Sequence, residues 1–146
     1  MRFEDYVEEY RTLKFQIRRT WIKEQEIREL EGFSPSSGEG GMPHSKQNTS
    51  TVEKVAVRLN EILSERKSLE QKLMVVREQI SRLIDILDNY SAQEVIETKV
   101  FVPNCGWKYI SKKVFLGEKR VAQLYKEGVA EINSYLREHE WKKTMF

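Results

Sequence analysis

Apolar residues recur at Val55, Leu59, Ile62, Leu69, Leu73, Val76, Ile80, Leu83 and Leu87, with steps of four and three that are broken only at Arg66. A stripe kept in that register over more than four heptads predicts a long helix with a coiled-coil seam. Ser50 and Glu53 match a capping box, so the helix is expected to open at Ser50 and to end near Asp88-Asn89-Tyr90. Such a stripe needs cover from a first helix folded back, a second copy of the chain, or both. Arg66 at a seam position either sets register or oligomer state, or snorkels to the edge.

The first segment, residues 3–31, has Phe3, Tyr6, Tyr10, Leu13, Ile17, Trp21 and Ile27 at near-helical spacing, with Gly32 as its expected stop. Residues 32–49 hold four of the chain's seven glycines and two of its three prolines, which predicts a flexible linker. Gly40-Gly41 lacks the strand, Lys-Ser/Thr and helix that a phosphate loop requires. After the long helix, Ser91 to Glu94 reads as a further capping box, opening a helix with Val95, Ile96 and Val100 on its apolar side. Pro103 to Gly106 is a turn by composition.

Beyond that turn the spacing changes. Ile110, Val114, Leu116, Val121 and Leu124 fit no single helix but do fit two short helices crossing around the small residue Ser111. The last helix continues through Val129, Ile132, Tyr135 and Leu136, while the tail 138–146, with Trp141 and Phe146, shows no clear period. The expected fold is therefore all-α. Its parts are an amphipathic helix (1–31), a linker (32–49), a long coiled-coil helix (50–90) and a helix-turn-helix head (91–146).

Charge sharpens the picture of the head. The net charge of +2 arises in 91–146, which carries ten Lys/Arg against seven Asp/Glu, and 104–126 carries six basic residues against Glu118 alone. A basic face on a helix-turn-helix suits duplex DNA. Arg120 and Gln123 are base-contact candidates, Lys119 and Lys126 phosphate or edge contacts, and Lys108, Lys112 and Lys113 backbone contacts. An ordinary hairpin with a solvated face explains the charge but not its coincidence with the spacing.

Other chemistry is thinly represented. Cys105 has no cysteine partner, and His44 and His139 lie far from it in sequence, so no metal or cofactor is expected. No Ser/His/Asp or Cys/His set suggests an enzyme. Glu138-His139-Glu140 reads as an exposed helix end. No apolar run approaches the roughly 18 residues of a membrane span. The acidic MRFEDYVEEY start is not a secretory signal, and a cytoplasmic location is expected.

The passages GGMPHSKQNTSTVEKVAVRL, LIDILDNYSAQEVIETKVFV and WKYISKKVFLGEKRVAQLYKEGVAEINSYL together resemble the small phage regulators of late transcription, the RinA-like and ArpU-like group. Members end in a helix-turn-helix similar to region 4 of bacterial sigma factors. Ile110-Ser111, Val114 to Gly117 and Arg120-Val121 stand where that family has its Ile-Ala, Leu-Gly-Leu-Ser and Thr-Val core. Phe115 departs from the usual turn glycine, and Gly117 from the usual capping serine. The resemblance implies sequence-specific binding near a phage late promoter, acting on transcription. The coiled-coil segment leads us to expect a dimer or higher oligomer, and RNA polymerase is a further candidate partner. Two alternatives are a small packaging (terminase) subunit that forms a ring, and a coiled-coil adaptor that touches polymerase without binding DNA itself.

Overall fold

The computed structural model describes residues 1–37 and 45–145, and the side chains of 1–30 and 52–139. It is all-helical: α1 (Phe3–Ser37), α2 (Ser45–Asp85), α3 (Tyr90–Phe101), α4 (Trp107–Val114) and α5 (Glu118–Met145). No described helix is long and apolar enough to cross a membrane. The chain divides into two compact units, Arg11–Met74 on the one hand and Met1–Tyr10 with Val75–Phe146 on the other.

Several element ends differ from the sequence expectation. Helix α1 runs past Gly32 to Ser37. One interior glycine costs about 1 kcal/mol, too little to stop a helix already propagating. Helix α2 begins at Ser45 and closes at Asp85, so Ser50 and Glu53 lie inside it. Ser-x-x-Glu spacing suits a helix interior equally well, because residues three apart share a face. The expected linker falls partly on 38–44, Gly40-Gly41 included, outside the described residues. The side chains of Trp141 and Phe146 lie outside them too. Helix α5 continues to Met145, where an aperiodic tail was expected.

In the Arg11–Met74 unit, α1 and α2 run antiparallel. Ile27 shares a groove with Ile62, while Arg66 reaches back to Thr20 and Glu24. Every stripe position of α2 in this unit, from Val55 to Leu73, is buried or half-buried. On α1 the covered positions are Leu13, Ile17, Thr20, Glu24 and Ile27, again at steps of four and three. Trp21 is a correction: its spacing assigned it to the stripe, yet it is 54% exposed. Thr20 and Glu24 take the covered positions because Arg66 lies opposite them and needs acceptors.

The other unit packs both long-helix ends with the three shorter helices. Phe3, Ile80, Val95, Ile96, Ile110, Val121 and Ile132 are each fully buried. Each such side chain contributes roughly 1.5–3 kcal/mol. The start of α1 is tied to α5 where the Phe3 amide donates to Asn133 Oδ1 at 2.7 Å and the Asn133 amide donates to Glu4 Oε1 at 3.1 Å. Tyr10 meets Phe101 edge to face at 5.4 Å. Helix α3 begins one residue before the expected Ser91. Asn89 is its cap, with Oδ1 accepting from the amides of Ser91 and Ala92. Asn is among the strongest cap residues, and a cap two residues before Ser91 leaves Ser91 in the first turn. Gly128 of α5 sits against α3. A Cβ there would lie 2.5 Å from Ile96 Cδ1, so the two helices approach through a glycine.

Candidate nucleic-acid interface

The segment before α4 is held by α3. Val102 caps α3 with its amide donating to Thr98 O at 3.0 Å. Asn104 then turns the chain with φ 56°, a left-handed conformation that Asn tolerates. Lys99 Nζ donates to Cys105 O at 3.1 Å and lies 4.7 Å from the centre of the Trp107 ring. Cys105 Sγ donates to Thr98 O at 3.5 Å. Trp107 in turn stands edge to face on Tyr125 of α5, 5.4 Å between centroids. One lysine and two aromatic rings therefore fix where α4 starts. Lys99 looked like a solvated helix residue in the sequence. Its place in the last turn of α3 was the available signal, since cations favour that end of a helix.

Helix α4 ends in a three-residue turn, Phe115-Leu116-Gly117. Phe115 occupies the left-handed region at φ 60°, ψ 38°, as the position needs, although it is not glycine. Its amide and that of Leu116 both bond Ser111 O, and Ser111 Oγ donates to Leu116 O. Ser111 thus closes the turn from inside. The Phe115 side chain is 91% exposed. Gly117 O accepts from the Val121 amide at 2.9 Å to start α5, and a side chain on Gly117 would meet no atom within 4 Å. Ile110, Val121 and Leu124 are buried, so the facing sides of α4 and α5 are those expected from spacing.

All seven sequence-predicted site residues are exposed: Lys108, Lys112 and Lys113 on α4, and Lys119, Arg120, Gln123 and Lys126 on α5. Lys108 and Lys112, four apart, share one face of α4 with Tyr109 and Lys113 beside them. On α5, Lys119, Gln123 and Lys126 fall on one outward face by helical period. Arg120 Nη1 donates to Gln123 Oε1 at 3.3 Å, and Gln123 Nε2 donates to Glu127 Oε1 at 3.0 Å. This ladder orients the Gln123 amide. Glu127 was missed in the sequence, although its i,i+4 relation to Gln123 signals such a pair. A carboxylate at that point limits how closely phosphate can approach the next turn of α5.

No protein-family model matches this chain, and neither a curated protein nor a solved structure matches it.

Proposed function

We propose that the protein is a DNA-binding transcriptional regulator of the phage or prophage late-gene type. In this reading α4, the Phe115-Leu116-Gly117 turn and α5 are a sigma-region-4-like helix-turn-helix. Helices α1 and α2 are its coiled-coil element, through which copies of the chain associate. The observation that supports it most is the sorting of side chains on α4 and α5: Ile110, Val121 and Leu124 turn inward, while every Lys, Arg and Gln named above faces solvent. The start of α5 would enter the major groove with Arg120 and Gln123 at base edges. Lys119 and Lys126 would lie at phosphates or groove edges, and Lys108, Lys112 and Lys113 would hold the backbone.

The test is binding of the full chain to duplex DNA over a salt series, with the mass in solution measured alongside. A steep fall of log affinity with log salt is expected, because each neutralised phosphate releases counterions. Absence of binding at low salt would remove the reading. A mass corresponding to a ring of many copies would move it to a packaging subunit.

A second reading, a polymerase-contacting adaptor without DNA binding of its own, is favoured by one observation. Phe115 stands 91% exposed at the tip of the turn, where a protein partner would cover it.

A further inference from the structure

The head does not hold all of the chain's concentrated positive charge. From Tyr10 to Lys23 the sequence carries five Lys/Arg and no Asp/Glu. This stretch belongs to α1 in the Arg11–Met74 unit, where the opposite side of the helix is committed to α2. By helical period Arg11, Phe15, Arg18, Arg19 and Ile22 fall within an arc of about 100°, directed away from the buried or half-buried positions Leu13, Ile17, Thr20 and Glu24. All five are exposed, and the two apolar members are not small: Phe15 is 61% and Ile22 48% exposed. From Arg11 to Arg19 the helix rises about 12 Å. Measured along the duplex axis, that rise spans three or four phosphates of one strand, at about 3.4 Å each.

We infer that this outward face of α1 is a second, separate binding surface for the phosphate backbone of duplex DNA. Three occupants compete for such a face, and charge decides among them. A second copy laid along it would set Arg against Arg, and like charges in register oppose association. A membrane surface needs a broad apolar face, and α1 has spent its apolar stripe on α2, leaving Phe15 and Ile22 alone outside. A phosphate backbone meets the three guanidiniums with charge-assisted hydrogen bonds. The deoxyribose rings between the phosphates offer apolar surface against which Phe15 and Ile22 lose water. The inference does not depend on the role proposed for α4 and α5, since the two faces share no residue.

The experiment compares three full-length proteins on one random duplex over a salt series: the parent, Arg11→Gln/Arg18→Gln/Arg19→Gln, and Lys112→Gln/Lys113→Gln/Arg120→Gln. Circular dichroism and urea midpoints confirm that each folds. The α1 triple variant is expected to flatten the slope of log affinity against log salt by about two to three, near 0.9 per lost phosphate contact. Phe15→Ala/Ile22→Ala is expected to weaken binding without changing the slope. If both triple variants flatten the slope, both surfaces bind. Should only the α1 triple do so, this inference stands and the head's role falls. An α1 triple variant with the parent's slope and affinity overturns the inference and leaves the head intact. A parent that binds no duplex at any salt overturns both. Binding of the parent to phosphatidylserine vesicles, lost in the α1 triple while DNA binding is kept, overturns it in favour of a membrane.

Discussion

Arg66 of α2 donates from Nη2 to Glu24 Oε2 of α1 at 2.7 Å, and both side chains are more than nine-tenths buried. Nε and the face of the guanidinium are also engaged. Nε donates to Thr20 Oγ1 at 3.1 Å, and the Trp21 ring lies 3.5 Å from the guanidinium carbon. Arg28 closes the second carboxylate oxygen at 3.1 Å. Sliding either helix by one turn would leave a buried charge facing Leu, Ile or Val, which is costly. A polar layer of this kind defines the register of α1 on α2 while adding little stability of its own.

A pH dependence follows. Hydrogen bonds from Arg66, and then from Arg28, hold the Glu24 carboxyl below its ordinary value of 4.5. A group depressed in the folded state stabilises fully above its unfolded value, and that stabilisation fades as pH falls towards the folded one. The urea midpoint is therefore expected to drop as pH is taken below 4.5, and this component should vanish in Glu24→Gln. Arg66→Met alone should lower the midpoint at neutral pH, because it leaves Glu24 buried without its main partner. Pairing it with Glu24→Leu should restore part of the loss. An acid limb identical in Glu24→Gln and the parent would count against the assignment.

Gly128 supplies a second stability test. A side chain there meets Ile96 Cδ1 at 2.5 Å and Leu87 Cδ1 at 3.3 Å, and both neighbours are themselves buried. Overpacking of this sort costs about 1–3 kcal/mol. Replacing glycine by valine returns only a few tenths of a kcal/mol of helix propensity. Gly128→Val is expected to destabilise by about 2 kcal/mol in urea unfolding, a value inside that overpacking range. A neutral result would mean that α3 and α5 separate without penalty.

What could be read in the sequence was whatever gains from burial by itself. The stripe of α2 from Val55 to Leu83, and Leu87 just beyond its end, are covered as the period requires. Ile110, Val121 and Leu124 face inward as their spacing requires. Thr20 and Glu24 escaped because polar residues do not mark a stripe. They are buried on account of Arg66, 46 and 42 positions along the chain, and local periodicity cannot see that distance. Trp21 misled for the complementary reason, since an aromatic ring has value over a guanidinium as well as in a core. In the candidate interface, residue types and exposure were legible, but the Arg120-Gln123-Glu127 ladder and the Lys99 bracket on Trp107 arise from side-chain rotamers and a three-dimensional approach that spacing does not carry.

The turn offers a test that separates stability from function. A non-glycine residue in the left-handed region costs about 1–2 kcal/mol, and Phe115 recovers none of that by burial at 91% exposure. Phe115→Gly relieves the backbone but adds about 0.4–1 kcal/mol of unfolded-chain entropy. A net gain of roughly 0.5–1 kcal/mol in urea unfolding is expected from these two terms. If DNA affinity falls in the same variant, the ring is retained for contact. If affinity is unchanged and pull-down of RNA polymerase is lost, the adaptor reading gains.

Arg120 already donates to Gln123 at 3.3 Å, so both side chains are held at the start of α5 before any ligand arrives. Base-edge contacts discriminate between sequences, and backbone contacts do not. Arg120→Ala is expected to cost about 1–3 kcal/mol on a selected site and less on random duplex, relaxing base preference. Lys112→Ala should weaken both alike and flatten the salt slope by about 0.9. The selected site comes from enrichment of a random duplex library on the parent protein, and both variants are titrated on it and on the unselected pool. Equal losses on the two DNAs for both variants would remove Arg120 from the base-reading role. Gln123→Ala on the same pair of DNAs then decides whether any side chain at the start of α5 reads sequence.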